Sequence, residues 1–249
     1  MLMDVVELRE FYASRLGGAV ENSVSMALSS VWGAPQGERL LGLGYPVPWL
    51  DRFSPDAECS LCLMPAAQGA MQWPSSKSPC TALTYDDQLP LPDGSIDRIL
   101  MVHFLEHAEN AAECIAEAWR VLSPGGTIVI VAPNRRGVWA RFEHTPFGTG
   151  KPYSRGQLDS LLRDNQFTAE QWSDALHFPP SNREIAHRLR GSVEGFGRRV
   201  WPIFAGVICV SATKRLYQGI PVTARAKRRV AVPVLVPQGN VGRSNREKR

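Results

Sequence analysis

The sequence predicts an α/β fold, a doubly wound sheet of about seven strands with helices on both faces. Two observations carry that prediction. Short apolar runs recur at Arg39–Leu43, Ser60–Met64, Thr81–Leu83, Arg98–Val102 and Thr127–Val131, and they are continuous rather than alternating. Runs of that kind suit strands covered on both faces, as in a parallel sheet. Helical or turn-rich stretches separate them, and strands alternating with helices imply a doubly wound arrangement.

Each element has its own local justification. Val5, Val6, Leu8, Phe11, Tyr12 and Leu16 are spaced as one face of a helix, which Gly17-Gly18 is expected to end. A second helix fills Glu21–Val31. Asn110 can cap a helix whose apolar face is Cys114, Ile115, Ala118, Trp119 and Leu122. Ser123-Pro124-Gly125-Gly126 then stops it, with proline at the second turn position and glycine at the third, where φ is positive. The strand Thr127–Val131 follows at once. Ser154 opens a helix that runs to Asn165. After Gln171–Phe178 comes a further helix around Asn182–Leu189, and Phe204–Val210 reads as one more buried strand. Trp172 and Trp201 are assigned to packing.

Composition narrows the class. With 249 residues, 44% hydrophobic and 21% charged, the chain can bury a full core as a water-exposed globular protein. No apolar run is long enough to span a bilayer. Met1–Glu10 carries Asp4, Glu7 and Glu10 rather than a basic and then apolar leader, which argues against a secretory signal. Five scattered cysteines argue against a disulfide framework and favour a cytoplasmic setting. The charge is unevenly placed: eight of the 28 Lys/Arg but one of the 24 Asp/Glu lie in residues 220–249. The tail is therefore +7 and the body −3, so nucleic acid or an anionic surface is a partner only for the tail. Residues 1–34 read as a helical lid or cap, 35–219 as the main domain, and 220–249 as a basic, disordered tail.

Three stretches in order resemble the class I S-adenosylmethionine-dependent methyltransferases, specifically the methyltransferase type 11 group. Leu89-Pro90-Leu91-Pro92-Asp93-Gly94-Ser95-Ile96-Asp97, followed by Arg98–Val102, resembles that family's loop and fourth strand. His103-Phe104-Leu105-Glu106-His107 resembles the residues after the strand. Arg120-Val121-Leu122-Ser123-Pro124-Gly125-Gly126-Thr127 resembles the turn into the fifth strand, and Tyr153–Phe167 a later segment. The resemblance covers roughly residues 35–215 and implies a Rossmann-like sheet, S-adenosyl-L-methionine as cofactor and a methyl acceptor as substrate. It implies cofactor contacts at the carboxyl ends of the strands: Gly42, Gly44, Tyr45, Met64, Asp86, Asp87 and His103, with Tyr12 on a helix that folds over the site.

The chain departs from the family in two places. The first-strand run is Gly42-Leu43-Gly44-Tyr45-Pro46-Val47-Pro48, where Gly42 replaces the usual acid and two prolines replace the later glycines. Prolines remove two backbone donors and fix φ. The second strand ends Leu63-Met64-Pro65 without the carboxylate that usually holds the ribose. Gly44 is expected to be a close approach between backbone and ligand.

His103 and His144 are candidate bases for deprotonating an acceptor. Each also has a bland reading, as does each acid: a satisfied structural histidine, a solvated loop carboxylate, or, for Tyr12, aromatic core packing. The loop Asn134–Gly148 follows the fifth strand and should overhang the pocket mouth. Arg135, Phe142, His144 and, beyond it, Tyr153 are candidate substrate contacts there; a structural cover or a protein-partner surface reads equally well. Cys59-x-x-Cys62 has half a zinc spacing but no second pair, so no metal is expected. Two function classes remain: methyl transfer to an unidentified acceptor, and a non-catalytic methyltransferase-like binding or regulatory subunit.

Overall fold

The computed structural model describes residues 2–75, 78–180 and 205–216, all within one compact unit, Met1–Tyr217. The expected helix around Asn182–Leu189, Trp201 and the basic tail lie outside the described residues. Seven strands form one sheet in the order β3-β2-β1-β4-β5-β7-β6. They are β1 (Arg39–Gly44), β2 (Cys59–Pro65), β3 (Thr81–Thr84), β4 (Ile96–Val102), β5 (Leu122–Pro133), β6 (Phe167–Ala175) and β7 (Val207–Lys214). The first five are parallel; β7 runs antiparallel to both β5 and β6. The sheet is thus mixed rather than wholly parallel.

Period-two alternation along the central strands feeds two separate cores. Leu40, Leu100, Val102, Val129 and Val131 face α1 (Val5–Ala13), α2 (Arg15–Val31) and α3 (Val47–Phe53). Leu41, Leu43, Ile99, Met101, Ile128 and Ile130 face α4 (Ala111–Val121) and α5 (Arg155–Asp164). Both faces are covered, which is why these strands read as continuous apolar runs.

The helix starts follow their caps. Asp4 accepts from the Val6 and Glu7 amides while Glu7 accepts from the Asp4 amide, a reciprocal box that opens α1. Ser154 and Gln157 make the same box for α5. Gly17-Gly18 does not end α1, as the sequence suggested. The chain turns at Ser14, whose amide closes α1 and whose hydroxyl caps α2 through the Gly17 amide. Gly17 is needed because a Cβ there would lie 2.0 Å from the Phe11 carbonyl oxygen; it serves the helix crossing, not a terminus. Gly125 has φ +77°, as the turn requires, and Leu122–Gly126 is continuous with β5.

The two most specific motifs form one mechanical unit. Arg120, at the end of α4, donates to the Leu89 and Leu91 carbonyls and to Asp93, fixing the loop before β4. Asp97 accepts from the Arg39 guanidinium and amide and from the Ser123 hydroxyl, tying β1, β4 and the turn together.

Candidate functional site

In an open α/β sheet, ligands bind beyond the carboxyl ends of the strands where strand order reverses. Here that point lies between β1 and β4. Three segments converge on it: the residues after β1, the residues after β4, and α1 from above.

Gly44 ends β1 with φ +86°, a conformation that favours glycine. The close approach at this glycine is internal. A Cβ would lie 2.2 Å from the Val102 carbonyl oxygen and 2.9 Å from Phe104 Cβ, so β4 and not a ligand excludes a side chain. Gly42 is equally intramolecular, since its Cβ would meet Leu50 and Pro46 at 2.6 Å. Pro46 begins α3, which swings Trp49 over the strand ends and bonds its indole N–H to the Glu21 carbonyl.

His103, just past β4, is fully buried and holds φ +53°. Non-glycine residues in that region are strained and cluster at functional sites. Its Nδ1 lies 3.1 Å from Glu106 Oε1, and its Nε2 lies 2.7 Å from the Tyr12 hydroxyl. Glu106 is buried too, and its Oε2 has no hydrogen-bond partner. Tyr12 stacks on Tyr45 (5.6 Å between centroids, 15° between planes) and meets Trp49 edge to face. Phe147 closes the far side, 4.7 Å from the imidazole. Burial above all pushes the Tyr12 phenol well above its ordinary pKa and lifts Tyr45 to about 12.

Next to this aromatic cluster is a cavity of about 270 Å³, walled by Pro65 and Gln68 after β2, Thr84 and Asp86 after β3, and Phe104 and His107 after β4. Leu2 lines it as well, and the Val5 amide donates to the Gln68 carbonyl, so the start of α1 forms its edge. Gln68 is 4% exposed and its side-chain amide nitrogen has no partner. A buried donor left unpaired costs about 1–3 kcal/mol. Asp86 accepts from the Glu109 amide, which sets its carboxylate in the wall. Burial lowers the His107 pKa, against the opposing effect of Glu106.

Of the residues singled out from sequence, Tyr12, Tyr45 and His103 come together in the cluster and Asp86 reaches the cavity. Met64 is buried in the core below, accepting at its sulfur from the Met71 amide. Asp87 is exposed. Arg135 is exposed and linked by its amide to the Tyr153 carbonyl. His144 is exposed, edge to face with Phe142 at 5.5 Å. Tyr153 donates its hydroxyl to the Leu105 carbonyl, and burial raises its pKa to about 12. The sequence reading missed Glu106, Gln68, Trp49 and Phe147. Glu106 left a signal, three residues after His103 in a segment already suspected, and Phe147 lay in the Asn134–Gly148 loop singled out above. Among the described residues no group of three His, Cys, Asp or Glu side chains is placed to hold a metal ion, and no helix is long and apolar enough to cross a membrane.

Comparison with known proteins bears on this geometry directly. Residues 44–130, from the Gly44 turn through β5, match the family model described as "Methyltransferase domain". Over that segment the chain resembles a methyltransferase domain. A "Probable S-adenosylmethionine-dependent methyltransferase" of Mycolicibacterium smegmatis is 42% identical over 92 residues, 36% of this chain and 35% of that protein. The matched segment thus spans about a third of the relative's length. A structure from Thermotoga maritima, described as a SAM-dependent methyltransferase and "possible histamine N-methyltransferase", superposes with TM-score 0.59 at 17% identity, covering 85% of this chain and 96% of that one. A chain from a Haloferax volcanii complex containing the Trm112 methyltransferase activator superposes with TM-score 0.61 at 16% identity, covering 86% and 100%. At such identities the structural likeness establishes the Rossmann-like α/β fold alone.

Proposed function

We propose that this methyltransferase domain binds S-adenosylmethionine at the β1/β4 switch point and transfers its methyl group to an acceptor. The observation that carries the reading is the unpaired, buried Gln68 amide in the wall of the 270 Å³ cavity. A donor of this kind is stabilised by an acceptor that arrives with a ligand. The cavity suits the nucleoside half of the cofactor: Gln68 donates, the Asp86 carboxylate accepts, and Phe104 supplies an apolar wall. Gln68 takes over from the missing carboxylate at the end of β2.

The amino-acid half is accommodated differently. Tyr12 packs against Tyr45 and Trp49 and bonds His103 just past β4, and Pro46 and Pro48 offer no N–H. Binding therefore requires α1 to withdraw Tyr12, and residues 1–34 act as the lid. One lost charged hydrogen bond costs roughly 1.5–3 kcal/mol, so affinity should sit about one to two decades below that of an ordinary relative. When bound, S-adenosylmethionine supplies an electrophilic methyl group. His103, oriented by Glu106 and shielded from water, is the base that receives the acceptor's proton; Arg135, Phe142 and His144 on the overhanging loop, with Tyr153 beyond it, serve acceptor recognition.

A second reading, a non-catalytic binding subunit, draws on the same crowded crevice. Calorimetric titration with S-adenosylhomocysteine separates the two. Binding to the wild type, weakened about tenfold or more in Gln68→Leu by loss of one buried hydrogen bond, supports the enzyme. Neither heat nor a rise in melting temperature at saturating ligand would sink it.

A further inference from the structure

The group that meets His103 in the folded chain is itself a phenol. Tyr12 Oη, His103 and Glu106 form a continuous chain, with contacts of 2.7 Å at Nε2 and 3.1 Å at Nδ1. All three side chains are buried. A carboxylate only accepts, so Nδ1 carries the ring hydrogen and Nε2 turns its lone pair toward the phenolic O–H. Hydroxyl, imidazole and carboxylate in that order make the arrangement in which the carboxylate fixes the tautomer and stabilises the imidazolium. Packing α1 on the sheet does not call for it. Among Tyr45, Trp49 and Phe11, an apolar ring at position 12 would fill the same space, so what the phenol adds is the polar partner of His103 Nε2. The free Glu106 Oε2 and the positive φ of His103 further mark a site held ready rather than relaxed.

Resting on the methyltransferase reading above, we infer that the acceptor is a phenol, whose ring and hydroxyl take the place of Tyr12 against His103 when α1 lifts. The slot recognises a flat ring: Tyr45 stacks on the occupant, Trp49 meets it edge to face, and Phe147 packs tilted against the imidazole. Among the described residues the polar contact in the slot is the one at His103 Nε2, and it recognises one hydroxyl. On reaction the acceptor's O–H bond breaks, its proton forms the Nε2–H bond, and the electron pair stays on oxygen. The resulting imidazolium faces Glu106, so the charge is matched inside the site. Tyr12 is thus both a plug and an internal imitation of the substrate.

The test uses the full-length chain saturated with S-adenosylhomocysteine, with p-cresol, toluene and p-toluidine as probes of one shape. Calorimetry should show p-cresol binding at least about tenfold tighter than toluene, the value of one good hydrogen bond. The nitrogen-15 signal of His103 Nε2 should move with p-cresol and not with toluene. His103→Gln should cut the p-cresol preference to less than about threefold, and the wild-type nitrogen-15 readout stands if that variant does not fold. If S-adenosylhomocysteine itself fails to bind, the enzyme reading falls and this inference with it. If it binds while p-cresol shows no preference over toluene, or p-toluidine binds more tightly than p-cresol, only the phenol assignment is overturned.

Discussion

Replacing Tyr12 by Phe removes one oxygen atom and separates two roles of α1. The ring stays, so its stack on Tyr45 and its edge contact with Trp49 survive. What is lost is the 2.7 Å contact with His103 Nε2, whose acceptor is then buried without a partner. A buried group left unsatisfied costs about 2 kcal/mol, which lowers the melting temperature of a domain of this size by roughly 4–8 °C. The same loss should favour ligand binding. If cofactor entry requires α1 to lift, weakening the closed state by about 2 kcal/mol raises affinity for S-adenosylhomocysteine by up to about 30-fold. Differential scanning calorimetry and isothermal titration on wild type and Tyr12→Phe measure the two effects. A purely structural tyrosine would destabilise the fold and leave affinity unchanged or weaker. That pairing, or a variant as stable as the wild type, refutes the latch.

Three further predictions concern the scaffold. Its hydrogen bonds from Arg39, chiefly that to the guanidinium, hold the Asp97 carboxyl well below the ordinary carboxylate pKa. A depressed folded pKa gives stability that is present above the unfolded value of about 3.9 and lost as pH falls through the folded one. Asp97→Asn should therefore be destabilised at pH 7 by urea melts, with the gap to wild type narrowing below about pH 4; a constant gap contradicts this. Gly17→Ala should lose roughly 1–3 kcal/mol to overpacking against Phe11. Gly18→Ala, with nothing within 4 Å of its Cβ, should gain up to about 1 kcal/mol of helix propensity. Thermal melts of the pair decide, and equal behaviour would place the α1–α2 crossing elsewhere. Cys59 is exposed, whereas burial lifts Cys62 to about 12 and raises Cys114 and Cys209 further. A thiol reagent at pH 8 should thus label Cys59 in the folded chain, and the buried Cys62, Cys114 and Cys209 only after denaturation; early labelling of Cys209 would argue against a buried β7.

The parallel half of the fold was legible because its strands are covered on both faces and its turn residues are chemically specific. Ser123–Gly126 announced its own positive φ, and Asn110 and Ser154 announced their helices. The antiparallel end was harder to read. β6 lies at the sheet edge, where the consecutive exposed residues Glu170 and Gln171 and the half-buried Ser173 and Asp174 blur its period. Gly17-Gly18 misled because a glycine required by a neighbouring carbonyl looks, in sequence, like a terminator. At the site, His103 and Tyr12 were visible as residues but not as partners, since 91 positions separate them. Gln68 was silent. An unpaired amide is a property of the folded wall around it and leaves no periodic trace in the chain.

The position of β7 imposes an order on how the molecule can be made. It is the last strand of the described residues to be synthesised, yet it lies inside the sheet, between β5 and β6. Until residues 207–214 emerge, the Thr127–Pro133 edge of β5 has no neighbour, and β6, already made, has nothing to pair with. A nascent chain on the ribosome therefore displays an open row of amide and carbonyl groups beside Ile128 and Ile130, a template for wrong pairing. The late insertion of one strand makes closure of the sheet an all-or-nothing event near the end of translation. A premature stop before Val207 removes not one strand but the docking of two.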